Sequence, residues 1–488
     1  MIKEQKALFI IFGGTGDLAQ RKLYPSIFEL YKKGYLKRNF AIIGTARRPW
    51  TNDYYREIVK DSIDGMYDSE QTAIAFSNHF YYQSHNVTDT SHYVTLRQLA
   101  EKLDGKYEIG GNRLFYLAMS PRFFGTICEH LKSQELKTTT GYNRVIVEKP
   151  FGRDFASATI LNNEISQSFP EDDVFRIDHY LGKEMVQNIA AIRFGNSIFN
   201  AMWNNRYISN IQVTLSEALG VEERAGYYET AGALRDMIQN HMLQIVALLT
   251  MSAPVSFTDA DIRNAKINAL KCLKVYTKDE VKENFVRGQY DSGRNLPAYR
   301  QEDQTAPDSM TETFVAGKLL INTMDMAGVP IYVRTGKRLA TKATRIDVVF
   351  KQVPNNVFAD NDLRHDVLTI TVDPEPSLRL QLNSKTIGQG YDFDTHRLNL
   401  DYKLSEEQKK SVPEAYEKLI LDALKGKASN FTHWKELQYS WKFVDAIRQA
   451  WDDNVDQVVF PNYPCGEMGP DTSEKLLAKD GNHWEFTI

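Results

Sequence analysis

The chain has little cysteine, no long apolar run and almost no charge imbalance. Its three cysteines, Cys128, Cys272 and Cys465, are odd in number and far apart in 488 residues. That argues against a disulfide framework and against a thiolate metal site. No apolar run approaches the ~18 residues that a membrane-spanning helix needs. A net charge of −4 lacks the basic excess of a nucleic-acid binder. Residues 1–6 lead straight into an apolar stretch with no signal-peptide pattern, so a reducing cytoplasm is the expected compartment. Internal repeats and low-complexity tracts are also lacking. What remains is an ordinary folded composition, 42% hydrophobic and 25% charged. A length of 488 residues exceeds one usual core, so two or more domains are expected.

The first part alternates strand-like and helix-like pieces. Residues 7–12, 40–43, 80–82, 114–118, 144–147 and 174–177 read as strands, with helical stretches between them, including 154–169. Repeated βα alternation predicts an α/β domain with a mostly parallel, doubly wound sheet over about 1–180. Beyond residue 185 the period changes. Residues 207–219, 329–334, 345–350, 367–372, 378–382 and 397–400 alternate in polarity, which predicts a mostly antiparallel sheet. Helices near 230–250, 413–424 and 439–451 are expected to cover it, and 287–308 reads as a loop. Residues 181–488 are thus expected to form a larger α+β domain.

The first strand runs into Gly13-Gly14-Thr15-Gly16-Asp17-Leu18-Ala19 and then a helix. The pattern G-x-G-x-x-A lets the backbone turn tightly and approach a pyrophosphate at a helix N-terminus. A bare strand-to-helix turn is the bland alternative. The second strand ends in Arg47-Arg48, where NAD sites usually carry a carboxylate for the ribose 2′-hydroxyl. Guanidinium groups favour a 2′-phosphate, hence NADP, with Arg47 preferred because Arg48 precedes Pro49. No residue there rejects a 2′-hydroxyl, so NAD stays open.

The densest chemistry is the run Arg176-Ile177-Asp178-His179-Tyr180-Leu181-Gly182-Lys183-Glu184. His179, Tyr180 and Lys183 offer cations and a hydroxyl of the kind a phosphate dianion takes. Lys22 lies in the first helix, and Lys149 follows Glu148 at the carboxyl end of a strand, the edge where open α/β sheets bind ligands. His241, within the helical stretch 230–250, reads either as a core histidine or as a water-shielded general base whose tautomer a carboxylate such as Asp178 holds. On an ideal helix Asp236 lies about 140° around from His241, so one ligand reaches both only if the helix is distorted or the ligand is broad. A later basic cluster contains Lys337 and Lys342, and Glu217 interrupts an alternating strand.

The glycine loop, Glu148-Lys149-Pro150-Phe151-Gly152, the run from Arg176 to Glu184, and Arg235-Asp236-Met237-Ile238-Gln239-Asn240-His241 occur in that order. Together they resemble the glucose-6-phosphate dehydrogenase family over nearly the whole chain, closest to the lactic-acid-bacterium type. The resemblance implies an N-terminal Rossmann domain, a β+α domain bearing a homodimer interface, and the cytoplasmic first step of the pentose phosphate pathway. It implies His241 as base and Asp178 as its carboxylate partner. It gives the 6-phosphate to His179, Tyr180, Lys183 and Lys342, and the sugar hydroxyls to Glu217, Asp236 and Lys337. Lys22 and Lys149 fall between sugar and nicotinamide. Gly13, Gly14, Thr15, Gly16, Asp17, Leu18 and Arg47 bind the dinucleotide, with Tyr116 near it. The implied reaction oxidises C1 of D-glucose 6-phosphate to 6-phospho-D-glucono-1,5-lactone with NADP as acceptor, and needs no metal. Two alternatives remain at this point. One is another NADP-linked sugar oxidoreductase, because Glu-Lys-Pro after a strand also resembles those. The other is a silent NADP-binding sensor, which has no reason to keep Asp178, His179, Lys183 and His241 together.

Overall fold

The structure is a computed structural model and describes residues 3–358, 363–401 and 412–487. The chain divides into two compact units. One comprises Met1–Gly182, Thr258–Ala260 and Lys410–Trp434; the other comprises Lys183–Phe257, Asp261–Lys409 and Lys435–Ile488.

In the first unit, six parallel strands are β1 Ala7–Phe12, β2 Phe40–Ala46, β3 Phe80–Ser84, β4 Arg113–Leu117, β5 Asn143–Val147 and β6 Val174–Arg176. Their order is β3-β2-β1-β4-β5-β6. All six residues of β1 are buried, as the continuous apolar run requires of a strand covered on both faces. The strand order reverses between β1 and β4, the switch point at which such sheets open a crevice. Register sets Phe12 beside Thr45 and Leu117, so the glycine loop emerges between the ends of β2 and β4. Thr51, Asp89 and Asp154 cap the helices Asn52–Ser62, Thr90–Tyr107 and Phe155–Ser166 by accepting from backbone N–H groups. Each such cap stabilises by about 1 kcal/mol.

The helix expected near 413–424 does not cover the second sheet. It forms as Ala415–Lys425 and packs in the first unit, where Leu419, Ile420, Ala423 and Leu424 share a core with Ile27, Phe28 and Leu30 of the helix Tyr24–Lys32. Burying a Leu or Ile side chain contributes roughly 1.5–3 kcal/mol. Arg144 of β5 donates to the carbonyls of Ala423 and Leu424 at 2.9 and 2.7 Å, satisfying the helix's last acceptors. Lys33 pairs with Glu417 at 2.7 Å. An apolar stripe says that a helix must cover something, but not which sheet.

In the second unit, the strands are β7 Ile208–Ser216, β8 Phe285–Gly288, β9 Tyr290–Asp291, β10 Phe314–Leu320, β11 Pro330–Gly336, β12 Ala343–Phe350, β13 Val367–Asp373, β14 Ser377–Lys385, β15 Phe393–Asp401 and β16 Tyr463–Pro464. Eight of them form one sheet in the order β15-β14-β13-β12-β7-β11-β10-β8. β7 and β11 pair parallel and the other neighbours antiparallel. β9 pairs with β16.

The segment expected to be a loop from 287 therefore starts inside β8 and continues into β9. Arg287 is buried in β8 because its guanidinium forks onto Asp456 at 2.8 and 2.7 Å. β10 escapes the sequence reading because its run is apolar without alternation; Gly317 in it leaves room for the Phe285 ring. Among the described residues no helix is long and apolar enough to cross a membrane.

Candidate active site

In the first unit, a cleft of about 590 Å³ opens at the strand ends, lined by Gly13, Thr15, Arg47, Arg48, His85 and Met119 among others. Gly13 has φ 94°, and a Cβ there would lie 2.2 Å from the Ala118 carbonyl oxygen, so glycine is required. Gly13 and Gly14 N–H both donate to the Thr45 carbonyl, at 2.9 and 3.1 Å, and Gly16 N–H donates to the Gly13 carbonyl at 2.9 Å. Beneath the loop the Tyr24 hydroxyl donates to the Gly14 carbonyl and meets the Tyr55 hydroxyl at 2.6 Å. Burial pushes the Tyr24 phenol well above its usual pKa, so it stays a neutral donor.

A π-type turn, Ala19–Leu23, then leads into the first helix. Leu18 packs against the core, while Asp17 turns outward and pairs with Arg21 at 2.9 Å. Lys22 pairs with Glu414 at 3.3 Å. On the cleft rim Arg47 and Arg48 are exposed, and the Arg48 guanidinium lies over the Trp50 ring at 5.3 Å. A glycine turn with room only for backbone, opening a helix and flanked by two guanidinium groups, fits a dinucleotide carrying a 2′-phosphate.

Tyr116 is buried on β4 and donates to Glu148 Oε1 at 2.6 Å, tying β4 to the segment that carries Lys149. The Tyr416 phenol bonds the same carboxylate. Burial raises the Glu148 pKa, against the opposing pull of both phenols and Lys149. The Lys149–Pro150 peptide is cis.

The run from Arg176 to Glu184 divides its labour. Arg176 is buried and structural, forking onto Glu171 at 2.7 and 2.8 Å and donating to Asn162 at 2.7 Å. Asp178 is buried and accepts from the Tyr180 N–H at 3.0 Å, which closes a tight turn; the His179 and Tyr180 rings stand 4.9 Å apart. Lys183, at the start of the helix Glu184–Gly195, belongs to the second unit.

In that unit two sequence-distant lysines converge. Lys183 and Lys342 reach Asp373 Oδ2 at 3.5 and 2.9 Å. Burial raises the Asp373 pKa, but bonds and charge from both lysines outweigh it and hold the carboxyl below its usual range. Asp373 thus gathers two cations from distant parts of the sequence at one place. Lys337 pairs with Glu217 at 2.5 Å. Asp236 is buried and accepts from the Tyr227 hydroxyl at 3.3 Å. Asp373, Tyr227 and Tyr416 were missed in sequence. Asp373 ends an alternating strand before a proline, a weak signal; the tyrosines give none.

The stretch 230–250 is not one α-helix. Gly232 breaks it at φ 61°, ψ 174°, Leu234–Met242 is a π-helix, and Leu243–Thr250 is α-helical. The i→i+5 bonding of a π-helix widens the turn and brings residues five apart onto one face. Asp236 and His241 are five apart, so the angular conflict of the ideal helix is removed. His241 is fully buried.

The chain matches known families along its length. Residues 10–188 match "Glucose-6-phosphate dehydrogenase, NAD binding domain" and residues 190–485 match "Glucose-6-phosphate dehydrogenase, C-terminal domain". Glucose-6-phosphate 1-dehydrogenase of Leuconostoc mesenteroides is 50% identical over 488 residues, covering 100% of both chains. The Bacillus subtilis protein of that name is 50% identical, covering 99% of each. A solved glucose-6-phosphate dehydrogenase in complex with its substrate glucose-6-phosphate superposes with a TM-score of 0.91 at 36% identity, covering 100% of both chains. Full-length identity at this level, with both halves matched in order, leads to one conclusion: the chain belongs to the glucose-6-phosphate dehydrogenase family.

Proposed function

We propose that this protein oxidises C1 of D-glucose 6-phosphate to 6-phospho-D-glucono-1,5-lactone with NADP as acceptor. The observation that carries the reading is the full-length relationship to glucose-6-phosphate 1-dehydrogenases. The Lys183 and Lys342 pair supports a phosphorylated substrate, and the Arg47 turn supports NADP over NAD.

Family membership supports the following residue roles. His241 takes the proton from the C1 hydroxyl, and Asp178 stabilises the imidazolium. Bound NADP supplies the hydride acceptor. His179, Tyr180, Lys183 and Lys342 hold the phosphate. Glu217, Asp236 and Lys337 orient the sugar hydroxyls. Lys22 and Lys149 steady the reacting ends, and the loop from Gly13 to Leu18 holds the pyrophosphate. Tyr116 acts by supporting Lys149 through Glu148. His241 is shielded from water, which strengthens each electrostatic contact it makes.

The protein works as a cytoplasmic homodimer in this reading. Leu398 and Leu400, 61% and 57% exposed on β15, provide apolar surface for a second copy. The test compares nicotinamide reduction with glucose 6-phosphate and with glucose. Rapid reduction with the phosphorylated sugar alone supports the reading; equal rates with both remove the phosphate-site assignment.

A further inference from the structure

Outside the residues named so far, two ion pairs of the second unit bear on the segment that holds Asp236 and His241. Glu312 is fully buried. Its Oε1 accepts from the Leu234 N–H at 3.2 Å, and its own carbonyl accepts from the Ala233 N–H at 2.9 Å. Arg448 donates to Glu312 Oε2 at 2.8 Å. Gly232 makes the approach possible: a Cβ there would lie 2.3 Å from Glu312 Oε1. The carboxylate thus sits on the first N–H of the π-helix, that of Leu234, where the helix dipole favours it. Downstream, Lys266 and Glu436, both fully buried, pair at 3.1 Å, and Lys266 donates to Gln244 Oε1 at 3.1 Å. Arg448 and Glu436 lie on one helix, Trp434–Asp452. Through Arg448–Glu312 and Glu436–Lys266, this one helix is linked to Leu234 at the start of the π-helix and to Gln244 just beyond its end.

We infer that Glu312 and Arg448 are positioning residues for the proposed reaction, holding Leu234–Met242 in the i→i+5 register that presents Asp236 and His241 together. The inference rests on the proposed function. With both ends fixed, the extra residue is absorbed as a wide turn. Without the Glu312 cap, the turn relaxes toward i→i+4 bonding, and Asp236 rotates away from His241 toward the roughly 140° of an ideal helix. Arg448 is needed because a buried carboxylate without its cation is strongly disfavoured.

The test uses the full-length protein with Glu312→Ala, Glu312→Gln and Arg448→Lys. Glu312→Ala is expected to lower kcat about 100-fold, the scale of a misplaced catalytic group, and to raise KM for glucose 6-phosphate while leaving KM for NADP unchanged. Glu312→Gln is intermediate, because its amide oxygen still accepts from Leu234. Arg448→Lys keeps the charge and recovers most of the rate. Wild-type kcat and KM in Glu312→Ala, with only a lower melting temperature, would mean a merely structural role and overturn the inference. If Glu312→Ala does not fold, wild-type kinetics in Glu312→Gln overturns it instead. If the wild-type protein does not oxidise glucose 6-phosphate, the functional reading fails by itself. The register is then read from the ¹³C-histidine resonance of His241, assigned with His241→Asn. A resonance displaced in Glu312→Gln supports the inference, and an unmoved one refutes it.

Discussion

Replacing Gly13 with alanine separates the two tasks of the glycine loop. At φ 94° an alanine is strained by roughly 1–3 kcal/mol. Its Cβ would stand 2.2 Å from the Ala118 carbonyl oxygen and 2.9 Å from the carbonyl carbon, both backbone atoms that cannot rotate aside. The Ala118 carbonyl must move by roughly 1 Å to reach ordinary contact. Ala118 N–H donates to the Phe12 carbonyl at 2.9 Å, so that movement also strains the β1–β4 ladder, at about 1 kcal/mol. Together this is about 3 kcal/mol, or about 10 °C in melting temperature for a unit of this size.

Gly16→Ala is the contrast. Gly16 has no positive φ, and its Cβ would meet only the Gly13 carbonyl oxygen, at 3.1 Å. The expected stability loss is under about 1 kcal/mol. The new methyl nevertheless stands where a pyrophosphate approaches the backbone, so NADPH affinity should fall by about tenfold or more. Thermal melts and NADPH fluorescence titrations of both variants decide the matter. A Gly13→Ala protein that melts like the wild type refutes the strain argument. A Gly16→Ala protein with the wild-type Kd for NADPH refutes the pyrophosphate assignment.

Three further outcomes are expected. Arg47→Ala should lower kcat/KM for NADP by roughly 10–100-fold, the scale of a charge-assisted phosphate contact, and leave that for NAD unchanged; parallel initial rates check it, and equal losses with both cofactors would contradict it. Lys183→Gln should raise KM for glucose 6-phosphate by a similar factor while leaving KM for NADP unchanged, which initial rates check. His85, buried against Phe12 and Tyr93, has its pKa lowered to about 4, chiefly by burial. The unfolded chain therefore takes up a proton before the folded one does. Its contribution is whole above about pH 6.5 and is lost toward pH 4, at most about 3 kcal/mol. Urea midpoints at pH 7 and 4.5 should differ less in His85→Phe than in the wild type.

Most of the first unit was legible because its central strands are buried on both faces and punctuated by glycine: the Ala7–Phe12 run, the turn after it and the Glu148-Lys149-Pro150 strand end all read directly. The helix Ala415–Lys425 did not, because amphipathicity names a face and not a partner. The π-helix Leu234–Met242 was unreadable for a different reason. Its register is set by Glu312, 78 positions from Leu234 in sequence, and by Arg448 beyond that. Individual site residues were visible as chemistry, whereas their grouping was not: nothing local to Lys183 or Lys342 announces that Asp373 gathers them. Tyr416, which shares Glu148 with Tyr116, reaches it only through the return of a late segment to the first unit.

The central claim is hydride transfer from C1 of a sugar phosphate. Its most direct test is turnover of C1-deuterated glucose 6-phosphate with NADP, followed by mass spectrometry of the reduced cofactor. The account predicts one deuterium on the nicotinamide ring of every NADPH formed. NADPH without the label, or no reduction at all by protein that binds both ligands, would contradict it.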